Sequence, residues 1–338
     1  MEYHAYRPMK THPLGVNGPI VSEVGFGAMG ISDIYAHSSR KDDAEGEATI
    51  KAALDAGINL INTGDFYGMG HNEMLVGRAI SGRRDEVVLS VKFGALRDPK
   101  GLWLGHDSRP AAVKTFCAYS LRRLGVDHID IYQPARLDPQ TPIEDTVGAI
   151  AQLIKEGKVK YLGLSEVKPD IIRRAHAVHP VTALEIEYSL ATRFVEQEIL
   201  AVARELGIGI VAYGALSRGL LTGKLFGKFE QGDFRAFTPR YSGQHLQANL
   251  MLVETLSDIA VAKGCTPAQL ALAWVLAQGD DVFPLIGTSK RDRLAENLGA
   301  LNVRLSPADL ALLDQAFPDG VFHGDRYPTA AMHIVAGR

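Results

Sequence analysis

The sequence predicts an α/β chain folded as a single (β/α)8 TIM barrel over residues 1–338, with an N-terminal β-hairpin and extra helices. Three observations predict it. Apolar, strand-like runs recur eight times along the chain, helical patterns separate them, and no composition shift or Ser/Gly-rich linker divides them. Strands that alternate with helices build βαβ units on a parallel sheet, and eight such units close a barrel. A length of 338 residues suits one barrel.

The elements follow in order. A hairpin comes first: Met9 to Pro13, a turn near Asn17-Gly18, then Ile20 onward. Asn-Gly favours a two-residue turn because both positions tolerate positive φ. The eight runs fall near 21–26, 58–61, 86–91, 128–133, 159–164, 182–188, 208–213 and 282–286. Helix signals after the first run begin near Arg40. Thr141-Pro142-Ile143-Glu144 and Thr266-Pro267-Ala268-Gln269 read as capping boxes with proline in the first turn. Ser306-Pro307-Ala308-Asp309 opens a last helix outside the eight units. The irregular stretch from Gly223 to about Asn249 reads as an active-site loop.

Composition narrows the function classes. Apolar residues make up 46% and charged residues 22%, an ordinary globular balance. The net charge is -3 with no run of like charge, which argues against nucleic-acid or membrane partners. Cys117 and Cys265 show no paired spacing, and Met1-Glu2-Tyr3-His4 begins no apolar signal stretch, so a reducing, cytoplasmic address is expected. The 11 histidines form no HxxxH or HExxH, so no metal site is expected. Gly25-Phe26-Gly27-Ala28-Met29-Gly30 matches GxGxxG after a strand. A dinucleotide fingerprint needs a helix to open at once, and none is signalled; in the barrel this is the first βα loop.

Chemistry in such a barrel sits at the C-terminal ends of the strands. Those ends carry Gly27-Ala28-Met29, Asn62 to Tyr67, Lys92, Gln133 to Arg136, Ser165-Glu166, Glu185, Tyr213 and Gly287-Thr288-Ser289-Lys290. So many polar and cationic groups exceed what a structural rim needs. Lys92 stands out because it lies in an otherwise apolar strand, where an unpaired charge is costly. A tyrosine near that ammonium, Tyr67, would be a proton donor with a depressed pKa.

These segments together resemble the aldo-keto reductases over nearly the whole chain. Gly57-Ile58-Asn59 with Phe66-Tyr67-Gly68, His71-Asn72-Glu73, Leu75 and Gly77-Arg78-Ala79 is similar to the segment around the family's catalytic tyrosine. Val91-Lys92-Phe93-Gly94 is similar to its catalytic-lysine strand. Gly163-Leu164-Ser165-Glu166 and Glu187-Tyr188-Ser189 resemble the nicotinamide side. The segment from Ala212 to Lys224 resembles the pyrophosphate loop.

Gly287 through Lys290, Arg293, Glu296 and Asn297 is similar to the motif for the adenosine 2′-phosphate. The resemblance therefore implies a nicotinamide cofactor held by Gly27, Ala28, Met29, Ser165, Glu185, Tyr213, Leu216, Ser217, Arg218, Gly219, Leu220, Gly223 and Lys224. Gly287, Thr288, Ser289, Lys290, Arg293, Glu296 and Asn297 would hold its far end. Physics fits these roles. Tyr213 offers a flat face for stacking, Ser217 and Arg218 suit a diphosphate, and Lys290 with Arg293 supplies charge for a third phosphate. NADPH/NADP+ is expected over NADH, because that phosphate carries about two negative charges.

Two of the family's four catalytic residues differ. The aspartate position is Asn62 and the histidine position is Ala135. A similar pattern occurs in pyridoxal reductases, which raises pyridoxal as a substrate. Asn62 still accepts a hydrogen bond from Lys92 but brings no charge, so Lys92 would be the one formal charge near Tyr67. Asp65 is an alternative counter-ion. Ala135 leaves room for a ring-bearing carbonyl compound, with Trp103, Ala135 and Arg136 as substrate contacts and His106 near them. The expectation is reduction of an aldehyde or ketone with Asn62, Tyr67 and Lys92 as the catalytic group. The rivals are an NADPH-binding sensor or auxiliary subunit with little turnover, and a Schiff-base aldolase using Lys92.

Overall fold

The computed structural model describes residues 6–32, 35, 42–225, 229–230 and 232–337. The hairpin forms as β1 (Thr11–Pro13) and β2 (Ile20–Ser22), paired antiparallel, but residues 14–19 connect the strands instead of a two-residue turn, and the positive φ falls on Gly15 (76°), not on Asn17 or Gly18. The first barrel strand, β3 (Gly25–Gly27), starts later than the run at 21–26, because Ile20 to Ser22 are spent on the hairpin. A 3-10 turn, Ala28–Ile31, follows β3, so no α-helix opens over the GxGxxG segment. The helix signal at Arg40 lies outside the described residues, as does the Met1–His4 start. Helix α1 (Asp43–Asp55) is capped by Asp42, whose side chain accepts from the Glu45 amide.

β4 (Leu60–Gly64), α2 (His71–Ala79) and β5 (Val88–Phe93) follow. A small hairpin, β6 (Ala95–Arg97) with β7 (Trp103–His106), stands before α3 (Pro110–Leu124). Then come β8 (Ile129–Pro134), α4 (Ile143–Lys155), β9 (Val159–Ser165), α5 (Pro169–Val178), β10 (Val181–Glu187), α6 (Ile199–Glu205) and β11 (Gly209–Tyr213). The last elements are α7 (Gly243–Ala262), α8 (Pro267–Leu276), β12 (Val282–Gly287), α9 (Arg291–Leu298) and α10 (Pro307–Ala316). Eight strands close a barrel in the order β3-β4-β5-β8-β9-β10-β11-β12, all neighbours parallel.

Capping follows the sequence at two of three sites. Thr266 with Gln269 and Ser306 with Asp309 make both reciprocal bonds. Thr141 does not cap α4; its hydroxyl donates to Asp138 Oδ2 at 2.7 Å instead. Among the described residues no single helix is long and apolar enough to cross a membrane.

The barrel interior is layered, and the layering makes the site. Leu60, Ile131, Ala183, Val211, Phe283 and Leu285 cluster inside with Leu14 and Val21 of the hairpin, which plugs the N-terminal end. Side chains alternate along a strand, so residues two further on face the same way. Two beyond Leu60, Ile131 and Ala183 are Asn62, Gln133 and Glu185. The apolar layer thus gives way to a buried polar one below the mouth. Gly163 lets that layer close: a Cβ there would meet Gln133 Oε1 at 2.7 Å and Ile131 Cγ2 at 2.9 Å.

Candidate active site

Lys92 lies within β5, one residue before its end, and is 4% exposed. Its ammonium donates to Asn62 Oδ1 at 2.6 Å and to Glu185 Oε1 at 2.5 Å. Asn62 Nδ2 donates to Glu185 Oε2 at 2.7 Å, and Gln133 Nε2 donates to the same oxygen at 2.5 Å. Every donor in this square meets an acceptor, which fixes the Asn62 amide orientation. Burial lowers the Lys92 pKa; the Glu185 carboxylate opposes that, and the net direction is down.

Tyr67 starts a tight turn, Tyr67–Gly70, just past β4. Gly68, Met69 and Gly70 there have φ of 57°, 52° and 95°, a left-handed path that turns the chain sharply into α2. The Tyr67 ring centre is 5.4 Å from Lys92 Nζ. The expected depressed tyrosine pKa is overturned. Burial first, then the Glu185 carboxylate, push Tyr67 well above the usual phenol range. The premise that Lys92 is the one formal charge near the phenol is corrected too, since Glu185 lies against it. Asp65 is not that counter-ion: its Oδ2 accepts from the Gly94 amide, and burial raises its pKa to about 8.

Several expected cofactor contacts sit elsewhere. Glu185 pairs with Lys92 across the lumen. Ser217 is fully buried with its hydroxyl against Tyr241 Oη at 3.1 Å, and its backbone N–H donates to the Gly214 carbonyl at 2.6 Å. Arg218 donates to the Arg326 carbonyl at 3.0 Å and stacks on Tyr327, with its carbon 4.7 Å from that ring centre. Leu220 is core, and Asn297 is buried. Lys224 pairs with Glu296 at 2.6 Å, joining the loop after β11 to α9. Thr288 Oγ1 accepts from the Lys290 amide at 3.2 Å. Lys290 and Arg293 are exposed, and neither side chain makes an ion pair with another described residue. Gly27 and Gly287 end β3 and β12, and Ala28, Met29, Leu216, Gly219, Gly223 and Ser289 lie on the loops at the same barrel end.

At the ends of β9 and β11, Arg326 and Tyr327, which the sequence reading did not single out, join the expected Glu166 and Tyr213. Glu166 accepts from Arg326 at 2.5 and 3.0 Å, from Tyr213 Oη at 2.8 Å and from the Ala336 amide at 3.0 Å. Burial would raise Glu166, but the Arg326 guanidinium outweighs it and holds the carboxyl at about 2. Tyr213 Oη also bonds Tyr327 Oη at 2.8 Å. The segment around Arg326 therefore folds back over the ends of β9, β10 and β11. No local signal in the sequence marks it, since Glu166 and Glu187 lie 160 and 139 residues from Arg326.

Ser165 Oγ and Gln133 Oε1 are buried without a hydrogen-bond partner. Buried polar atoms are nearly always satisfied, so these two mark where a polar ligand group fits; a carboxamide, with a donor and an acceptor, matches them. On the substrate side, Trp103 packs edge-on to Phe66 (5.7 Å), which packs on Tyr67 (4.6 Å). Arg136 donates to Tyr327 Oη at 2.8 Å. Burial and Arg136 push His106 down to about 4, so it is neutral. Ala135 is buried beside them. His71 is structural, held between Ser32 and Asp43. The four non-glycine residues with left-handed φ among the described residues, Met69, Glu166, Ser217 and Arg218, all lie on mouth loops, where such strain gathers at functional sites.

A closed parallel barrel with a buried lysine–tyrosine pair at its C-terminal mouth defines an oxidoreductase-type barrel. The aldo/keto reductase family model matches residues 23–317, and the chain belongs to that family. It is 43% identical over 324 residues to a probable aldo-keto reductase 1 of Glycine max, covering 95% of this chain and 92% of that one. Its fold is similar to the glycerol dehydrogenase AKR11B4 of Gluconobacter oxydans, with TM-score 0.82, 30% identity, and 91% and 94% of the two chains covered. It is also similar to the aldo-keto reductase AKR11C1 of Bacillus halodurans in its holo form, with TM-score 0.75, 26% identity, and 94% and 99% covered. The protein is thus an oxidoreductase of a family that acts on small carbonyl compounds.

Proposed function

We propose that the protein reduces an aldehyde or ketone with NADPH and that Tyr67 donates the proton. The observation that carries this is the Lys92 ammonium held 5.4 Å from the Tyr67 ring centre inside the mouth. When bound, NADPH supplies the hydride. Tyr67 stays neutral because burial and Glu185 raise its pKa, and the neutral phenol is the form that can give a proton to a carbonyl oxygen. Lys92 then faces the developing tyrosinate and stabilises its charge. Ser165 and Gln133 offer the free polar atoms that a carboxamide needs. The exposed Lys290 and Arg293 at the start of α9 support the 2′-phosphate, hence NADPH over NADH.

Phe66, Trp103 and the small Ala135 favour a flat, ring-bearing substrate, with pyridoxal among the candidates. The two free cysteines fit a cytoplasmic address. The test is loss of NADPH absorbance across pyridoxal, nitrobenzaldehyde and simple quinones. Turnover with at least one carbonyl is expected. Tight NADPH binding with no turnover on any of them would favour the sensor reading.

A further inference from the structure

We propose that Glu185 is the positioning residue for Lys92: the carboxylate that a lysine in this site requires has moved from β4 to β10, and a carboxamide has taken its place at Asn62. The rate arm of this proposal rests on the reductase reading; the stability arm does not. Lys92 and Glu185 side chains are 5% and 3% exposed and touch at 2.5 Å. An ammonium so buried needs a counter-charge, and removing one member of such a pair leaves the other stranded. β10 is separated from β5 by β8 and β9 around the barrel, so the contact spans the lumen.

The second oxygen of Glu185 is fixed by the amides of Asn62 and Gln133, so the carboxylate is oriented as well as near. The groups that act on Lys92 are Glu185, Asn62, Arg136 and Tyr327. Those that act on Tyr67 are Lys92, Glu185, Tyr327, Arg136 and Asp65. Glu185 is the carboxylate that acts on both. It therefore opposes the burial that would neutralise Lys92 and sets the field beside Tyr67.

The geometry makes a sharp test possible, because the two identities can be exchanged. In Asn62→Asp/Glu185→Gln, the lysine still meets one carboxylate and one amide oxygen. The amide NH2 introduced on β10 can donate to the carboxylate introduced on β4. Gln133 can turn its amide over to accept from that NH2, since its Oε1 has no partner now.

Native protein, Glu185→Gln and the double variant are compared by thermal melting and by kcat and KM for nitrobenzaldehyde against pH. Glu185→Gln is expected to melt roughly 5–10 °C lower. Its kcat should fall about tenfold or more with KM little changed, as for a lost charge-stabilising group. Its kcat should also drop as pH rises through a lowered Lys92 pKa, because the Glu185 contribution that opposes burial is gone. That limb should lie at higher pH in the native protein and in the double variant, which regains most of both losses.

If Glu185→Gln gives no cooperative melt, a folded double variant is itself the recovery. A double variant that melts no higher than Glu185→Gln, or a Glu185→Gln that matches native in melting and kcat, overturns the proposal. Native protein that turns over no carbonyl sinks the reductase reading alone, and the melting comparison still decides for or against Glu185.

Discussion

At the scale of single residues, the ionisation of Tyr67 separates two accounts of the site. A lysine alone beside the phenol would depress its pKa; a lysine matched by Glu185 in a buried mouth leaves burial to raise it. We predict that oxidation of the matching alcohol, which needs the tyrosinate, keeps rising with pH past the ordinary tyrosine range near about 10, whereas the lowered Lys92 pKa sets where reduction falls. The oxidative rate measured against pH decides it; one that levels off below about 9 would return the depressed phenol.

Asp65 gives a second residue-scale prediction. Its carboxyl is raised from 3.8 to about 8 by burial, and its Oδ1 has no partner. A folded pKa above the unfolded one means stability present at low pH and lost as pH climbs to about 8. Asp65→Asn should remove that decline, raising the melting temperature above pH 8 and changing it little near pH 4. Equal shifts at both pH values would contradict it. Lys92 was legible as a charge in an otherwise apolar strand, and Tyr67 through its place past a strand end and the resemblance of the segment around it. The acceptor of Lys92, Asn62, was legible too, but the carboxylate partner Glu185 was not, because a contact across a barrel leaves no trace in local sequence.

At the scale of elements, the barrel strands were legible from their apolar runs and the two working capping boxes from spacing. The misses have physical causes. The run at 21–26 holds parts of two strands, and the apolar pattern cannot say where one ends. At Thr141 the box pattern was present, but Asp138 three residues earlier captured the hydroxyl. The polar layer depends on Gly163, and this yields a prediction. Gly163→Ala would press a methyl group against Gln133 Oε1 and Ile131. Overpacking of this kind costs about 1–3 kcal/mol. Denaturant unfolding should show that loss together with reduced turnover, because Gln133 steadies Glu185; native stability and turnover would show that the layer has slack.

At the scale of the whole molecule, the chain's last segment ties back onto the barrel. Arg326 is fully buried and bonds both Glu166 and Glu187, at 2.5 and 3.2 Å. Arg326→Ala would strand the buried Glu166 carboxylate, while Glu187 keeps Arg218 and Arg240, and breaking a buried pair costs about 3–5 kcal/mol. A large fall in melting temperature is expected; an unchanged one would mean that water reaches that carboxylate. That closure was invisible in the sequence, since its partners are 160 and 139 residues apart. The eightfold repeat that defines the barrel was visible because it is local.

Tyr67 is the one proton donor proposed for this mouth, and comparing native protein with Tyr67→Phe tests it most directly. NADPH affinity and NADPH consumption are measured on the same aldehyde. Cofactor affinity should be unchanged and turnover should fall about 10²–10⁴-fold, the usual contribution of a general acid. A Tyr67→Phe protein that keeps more than about a tenth of native turnover would contradict that assignment.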